Sequence, residues 1–499
     1  MQKLIDFIYH NFMVKVILLI VITAISYGFL INNLNLWSDE IYSVLMAKDS
    51  LSDMWELLSA EDSKPPLYYL YLKGVLTLFP QKYEIFGAHF ASYILLLVAQ
   101  IFSITTIRKD YGDKVSFWMV VILMLHPISL WLAFEVRTYI LTSLLLLICL
   151  VYGLRLTRTP KNIDFIKFGI FSILALYSHY YAGIFLMFLY AMILFLLIYD
   201  KTFEKYGKQF LLTALIVAIA FAPWLYVPLK TASSISKFWY VNDSFIIFSP
   251  RFFTEPLQPE ILQSIFFIAT TFCATSFSFV CLIGCFNTSS FSHKLKRLFI
   301  VSFGAFLASY LLLIILSYAI RPMVTARYLK TFSFIFYLAG AVVIANLPCI
   351  KKAIFVTFVV GFIFTYADMK AVFFDMEYQK AKNDITTNIP KDKTIIAFDN
   401  ANLFCEYYLP QYKCPLVVGR FGEILRLRTL LDNIDLYYKD MDENVYTLSL
   451  YNNIGSECIS YNSIYRNGAN VNLCKISKNE AQNYLRDSVN NRLYKYLNS

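Results

Sequence analysis

A chain of 499 residues with 58% hydrophobic and only 16% charged residues is too apolar for a soluble globular protein, where about 25% are charged. Its mean hydropathy of +0.56 indicates a polytopic membrane protein. The net charge of +10 does not argue for nucleic-acid binding, because the basic residues gather in short loops between apolar runs, as membrane topology requires. The 45 Phe and 37 Tyr fit the same class, since aromatic rings collect at the membrane–water interface.

The first apolar run, about Val14 to Leu34, is long for a signal-peptide core, and no small-x-small cleavage site follows it. It reads as a retained helix. A span needs about 20 mostly apolar residues. Eleven candidates follow: 14–34, 85–107, 115–131, 134–154, 164–180, 181–199, 209–228, 261–285, 298–320, 326–347 and 353–373. The basic clusters Arg108/Lys109/Lys114, Arg155/Arg158/Lys161/Lys167, Lys201/Lys205/Lys208, Lys294/Lys296/Arg297 and Lys351/Lys352 all fall on one side when eleven spans are counted. That places the N-terminus in the cytoplasm and the C-terminal tail outside.

Two outer loops are long, about 35–84 and 229–260. The first opens with "NLNLWSDEIYS", which sets Asp39 and Glu40 where the chain leaves the lipid. The pair either caps a following helix, because acids are favoured at a helix N-terminus, or does chemistry. "LSDMWELLSAEDS" carries Leu51, Met54, Leu57 and Leu58 at helical spacing, the pattern of a helix lying flat in the interface. "EDSKPPLYYLYLKG" follows with Asp62, Lys64, Tyr68 and Tyr69, its two prolines fixing an extended entry into the next helix.

Further along, "FEVRTYILTSLL" puts Glu135, Arg137 and Tyr139 at an outer turn. Ionisable groups there either snorkel to the interface or face a cavity. "ALYSHYYAGIF" sets His179 among Tyr177, Tyr180 and Tyr181, either an interface patch or a surface for stacking a sugar ring. "SYAIRPMVTARYLKTFSF" places Arg321 and Arg327 outside, against the positive-inside tendency. A bound phosphate would hold them there, since guanidinium pairs with phosphate bidentately; lipid headgroups or the Asp39–Glu40 pair would serve as well. These constellations all fall on the outer side.

Beyond about 374 the composition turns polar. "KTIIAF", "PLVVG", "NVYTLSLY" and "VNLCKI" read as strands, and "EILRLRTLLDNID" and "NEAQNYLRDSVNNRLYKYL" as helices. The expected organisation is an all-α membrane domain, 1–373, followed by a small extracytoplasmic α/β domain, 374–499. Four of the nine cysteines lie in this tail: Cys405, Cys414, Cys458 and Cys474. An even number in an exported domain allows disulfides. Proximity pairs Cys405 with Cys414 and Cys458 with Cys474, one of three connectivities. The other five cysteines read as small apolar filler in or beside spans.

Together, "LWSDEIYS", "SKPPLYYLYL", "FEVRTYIL", "YSHYYAGIF" and "RYLKTFSFIFYLAGA" resemble the GT-C glycosyltransferases. The branch is the one holding the protein O-mannosyltransferases and the aminoarabinose transferases that modify lipid A. The resemblance covers about residues 10–350 and implies a GT-C membrane domain, of about 11 transmembrane helices by the runs counted above; the bias toward Lys, Asn, Ile and Phe points to an AT-rich bacterial genome and hence a bacterial plasma membrane. It implies a sugar donor carried on a polyprenyl phosphate and inverting transfer of one sugar on the outer face to a lipid, glycan or protein hydroxyl. Asp39 would be the general base, with Glu40 orienting it or binding acceptor. Arg321, Arg327 and Tyr328 would hold the departing phosphate. Asp62, Lys64, Tyr68, Tyr69, Glu135, Arg137, Tyr139, His179 and Tyr180 would line the cleft. The reading is metal-independent, with a divalent ion on Asp39 and Glu40 as the alternative. A lipid-linked glycan flippase, a glycan polymerase or ligase, and a silent assembly protein are the rival readings.

Overall fold

The computed structural model describes residues 11–31, 34–59, 64–232, 265–319, 324, 326–347, 350–374, 378–391, 393, 395–398, 401–412, 416–418, 444–449, 455–465 and 469–483. Contacts divide the chain into two compact units. The first holds the apolar helices of Pro65–Tyr226 and Lys237–Met369 together with the N-terminal helix, and the second holds Asn33–Lys64, Val227–Ser236 and Lys370–Ser499. One boundary between the units falls near Lys370. The segment Asn33–Lys64, however, groups with the C-terminal residues rather than with the membrane helices that flank it in sequence.

In the first unit, each of the eleven apolar runs coincides with a helix or a pair of helices. They are α1 (Phe12–Ile31), α5 (Gln81–Tyr111), α6 (Asp113–Leu125), α7 (Pro127–Phe134), α8 (Tyr139–Leu156), α9 (Asn162–Leu176), α10 (Tyr180–Tyr199), α11 (Phe203–Ala232), α12 (Ile265–Phe286), α13 (His293–Ala319), α14 (Ala326–Leu329), α15 (Ser333–Asn346) and α16 (Lys351–Phe374); a further helix, α4 (Leu67–Leu76), lies within the expected outer loop 35–84. The intervening α2 and α3 belong to the second unit. Among the described residues six helices are long and apolar enough to cross a membrane, and the pair α6–α7 makes a seventh if read as one broken span. The chain is a multi-pass membrane protein. Helix α8 is the centre: 94% of its apolar window is buried inside the protein, against α9, α10, α5 and α15. A helix apolar all round is one that packs on all sides. Gly112, at φ 90°, ends α5 and turns the chain into α6, a backbone conformation that glycine adopts at no steric cost.

The expected span 115–131 is not straight. Helices α6 and α7 meet at an angle of 65°, with His126 and Pro127 at the break. Proline has no N–H, and its ring clashes with the preceding turn. The His126 side chain caps the new helix: Nδ1 accepts from Ile128 N at 3.3 Å and lies 3.0 Å from Tyr337 Oη. The other end of α7 is held by α5. His89 Nδ1 sits 2.6 Å from Phe134 O, and Ser92 Oγ donates to Glu135 O at 2.7 Å. Carbonyls that a helix end leaves without a partner are thus satisfied by side chains, and the direction of the chain at Glu135 is set.

The second unit is built on a five-stranded sheet of β1 (Ile395–Phe398), β2 (Leu416–Val418), β3 (Asn444–Ser449), β4 (Ser456–Tyr465) and β5 (Ala469–Ser477), in the order β2-β1-β3-β5-β4. The β1 pairings are parallel, and those of β5 with β3 and β4 are antiparallel. Four strands match the sequence expectation; β4 was not anticipated. Helices α17 (Tyr378–Asn388) and α18 (Ala401–Tyr408) belong to this unit, as do α2 (Ser38–Lys48) and α3 (Leu51–Leu57). Helix α3 is amphipathic as expected, with Met54 and Leu58 buried, but Leu51 is 60% exposed. The expected helix at "EILRLRTLLDNID" lies outside the described residues, and the last one is described only from 478 to 483.

A disulfide joins Cys458 in β4 to Cys474 in β5, with a sequence separation of 16. Cys405 is disulfide-bonded as well, and Cys414 lies outside the described residues. Closing a loop of this length removes about 3 kcal/mol of chain entropy from the unfolded state. Replacing Cys458 and Cys474 together by Ser is expected to lower the stability of this unit by about that amount. Limited proteolysis of the intact protein against denaturant reads it as an earlier midpoint for cleavage of the tail. Cys149, Cys273, Cys281 and Cys285 are free thiols; the first three are buried, as filler should be, while Cys285 is exposed.

Candidate active site

The acid pair lies in the first turn of α2. Trp37 is the N-cap residue, and a tryptophan offers no side-chain acceptor to the helix. Glu40 supplies the missing bond from inside: its Oε2 accepts from Trp37 N at 3.2 Å, while Glu40 N donates to Trp37 O at 2.9 Å. Glu40 is 2% exposed. Its carboxylate therefore fixes where the helix starts, the part a glutamate plays at the third position of a capping box. Asp39, one residue earlier, is only half-buried, and its main-chain carbonyl accepts from Ser43 Oγ at 2.9 Å. On the same unit Lys64 Nζ stands 5.1 Å from the centre of the Tyr42 ring, a cation–π contact. Asp62 lies outside the described residues.

In the first unit, one end of the helical bundle gathers most of the other candidates. The ends of α7 and α9 and the starts of α4, α8, α10 and α15 meet there. Leu67 N donates to Tyr177 O at 3.0 Å, and Thr138 Oγ1 donates to Ser178 O at 2.8 Å. His179 is the N-cap of α10, its Nδ1 accepting from Tyr181 N at 3.1 Å. This explains why a histidine sits between tyrosines: an imidazole nitrogen does what a Ser or Asp does at other helix starts. Around it lie Tyr181 at 5.1 Å, Tyr328 at 5.6 Å and Tyr139 at 5.9 Å between ring centres. Tyr180 turns the other way and accepts from Trp224 Nε1 at 3.1 Å. Tyr68 and Tyr69 are buried with their rings edge to face, 6.0 Å apart.

Charge enters this end through a pair that the sequence reading half missed. Lys330 Nζ donates to Glu135 Oε2 at 3.1 Å, with the two side chains only 3% and 4% exposed. Arg137, two residues after Glu135, is also buried, its main-chain N–H bonded to Glu135 O at 2.8 Å. Lys330 is held in place because Phe334 N, one turn on, donates to Ser143 Oγ of α8 at 2.9 Å. A lysine opening an apolar run after "RY" was the available signal, since a buried cation needs a partner. The partner lies 195 residues away, out of reach of spacing arguments.

The arginine segment is only partly described. Val324 N donates to Ser317 Oγ at 2.9 Å, tying it to the end of α13. Arg327 is in α14, and the next residue, Tyr328, joins the aromatic cluster with Tyr139, His179 and Tyr181. Arg321 and the Arg327 side chain lie outside the described residues. Among the described residues no group of three or more His, Cys, Asp or Glu side chains is placed to hold a metal ion.

The chain shares its fold with two crystal structures of ArnT from Cupriavidus metallidurans. The apo form superposes with a TM-score of 0.60 and the form bound to undecaprenyl phosphate with 0.59, each at 10% identity over 92% of this chain and 97% of that one. No family model and no curated protein sequence matches the chain.

Proposed function

We propose that this protein is an integral membrane glycosyltransferase that moves one sugar from a polyprenyl-phosphate donor to an acceptor hydroxyl on the extracytoplasmic face, with inversion. The observation that carries the reading is the fold. Nearly the full length of an ArnT that has been crystallised with undecaprenyl phosphate is matched, and within the membrane unit Tyr68, Tyr69, Glu135, Tyr139, His179 and Tyr328 lie at one end of the bundle.

In this reading the Asp39 carboxylate takes the proton of the acceptor hydroxyl. The oxygen's electron pair forms the new bond to the anomeric carbon from the face opposite the phosphate. The old carbon–oxygen bond breaks, and its electrons leave with the polyprenyl phosphate. Arg321 and Arg327 receive that developing charge, where fixed positive groups in a dry site count most. Tyr68, Tyr69, Arg137, Tyr139 and His179 line the sugar and acceptor positions, and Tyr328 stands beside the phosphate. Glu40 acts on Asp39 through the start of α2.

The test uses the purified protein in detergent with a panel of radiolabelled polyprenyl-phosphate sugars, and lipid and peptide acceptors supplied. Loss of label from one donor supports the transferase and names its sugar. No consumption across the panel sinks it and favours a flippase or an assembly protein. Arg327→Ala is expected to lower kcat about 10²- to 10³-fold, the effect of removing one preorganised donor. Arg327→Lys is expected to recover only part, because an ammonium does not grip two phosphate oxygens at once.

A further inference from the structure

Helix α2, which carries Asp39, lies against α18 of the C-terminal module. Its entry is fixed by one bond across a long stretch of chain: Leu36 N donates to Tyr408 Oη at 3.3 Å in a buried setting. Leu36 immediately precedes Trp37, so this bond and the Glu40 cap act on adjacent residues. At the far end of α2, Lys48 Nζ stands 5.9 Å from the centre of the Tyr407 ring. Leu36, Ile41, Val44 and Ala47 are each 1% exposed or less, so the helix is packed on most sides rather than lying on a surface.

The support on which α2 rests is itself well anchored. Helix α18 packs on β1 and β3, and Cys405 in its middle is disulfide-bonded. Just beyond it, Tyr412 Oη donates to Ile385 O and Ile389 O at 3.2 and 2.8 Å. Burial pushes the Tyr412 phenol pKa up, so it stays a neutral donor through the physiological range. A short helix such as α2 is marginal on its own; what fixes it is what it docks on.

We infer that the C-terminal module is the seat of the acid-bearing helix and that Tyr408 is a positioning residue, its hydroxyl setting where α2 begins and hence where Asp39 stands. The structural half of this is independent of the activity; the catalytic half rests on the transferase reading above. General-base catalysis tolerates little displacement of the base, whereas the residues assigned to the donor phosphate in the reading above, Arg321, Arg327 and Tyr328, are not on α2.

The experiment is Tyr408→Phe in the full-length protein, which removes one oxygen and no ring packing. Hydrogen exchange read by mass spectrometry is expected to speed up roughly two- to tenfold over residues 36–48, the loss of one neutral hydrogen bond, with no change in β3 and β5. With the donor identified, kcat is expected to fall several-fold while KM for the donor stays within a factor of two. Unchanged exchange over 36–48 overturns the seat whatever the activity. Faster exchange with wild-type kcat overturns the positioning role. A fall in kcat with faster exchange throughout the sheet overturns it too, since Tyr408 would then only hold the module together. If wild type consumes no donor, the transferase reading falls and the exchange still decides the seat.

Discussion

Asp39→Asn is expected to slow sugar transfer by about 10²- to 10⁴-fold, the usual contribution of a positioned general base. The substitution is a clean one because of where Asp39 sits. It lies in the first turn of α2, half-buried, and the bond that fixes the helix start comes from Glu40 instead. Asparagine keeps the size and the polarity, and the Glu40 cap on Trp37 N is left in place. Single-turnover transfer from the labelled donor checks it, and a mutant as fast as wild type would take Asp39 out of the chemistry. Glu40→Gln provides the contrast. The amide oxygen still accepts from Trp37 N, so its effect is expected to stay within about tenfold, the weakening of one charge-assisted bond. Two neighbouring carboxylates thus give unequal responses to the same kind of change.

Lys330→Met is expected to destabilise the membrane unit by about 3–5 kcal/mol, because it leaves the Glu135 carboxylate buried without the ammonium it faces. Neither group is more than 4% exposed, so water screens the loss poorly. Adding Glu135→Leu is expected to restore most of that stability, since a buried ion pair replaced by apolar groups is often neutral. Unfolding in mixed detergent micelles measures both variants. The double variant also says what the pair is for. If it is stable and turns over donor, the pair is structural; if it is stable and inactive, one of the two groups touches substrate.

Much of the helical layout was legible because a spanning helix announces itself within 20 residues. Each apolar run coincides with a helix, and Glu135, Arg137, Tyr139 and His179 do gather at one end. What escaped depends on distant partners. Lys330 has meaning only beside Glu135. The broken span at His126–Pro127 looks continuous in hydropathy, and Pro127 alone does not say whether a helix kinks or stops. Strand β4 escaped for a different reason: it is an edge strand with Ile459 53% exposed, so it lacks the alternation by which a half-buried strand is recognised. The grouping of Asn33–Lys64 with the tail had no local signal at all, since the apolar face of α2 is as compatible with lipid as with α18.

That grouping sets an order of events during synthesis. Leu36 and the Tyr408 hydroxyl it bonds are separated by 372 positions. At about 5–20 residues per second, α2 waits roughly 20–70 s after it is made before its seat exists. A chain that has reached the end of α16 but not α18 has its apolar helices made and α2 still without the hydroxyl that bonds Leu36. On the transferase reading, the helix that carries Asp39 is thus among the first segments made and among the last to be supported.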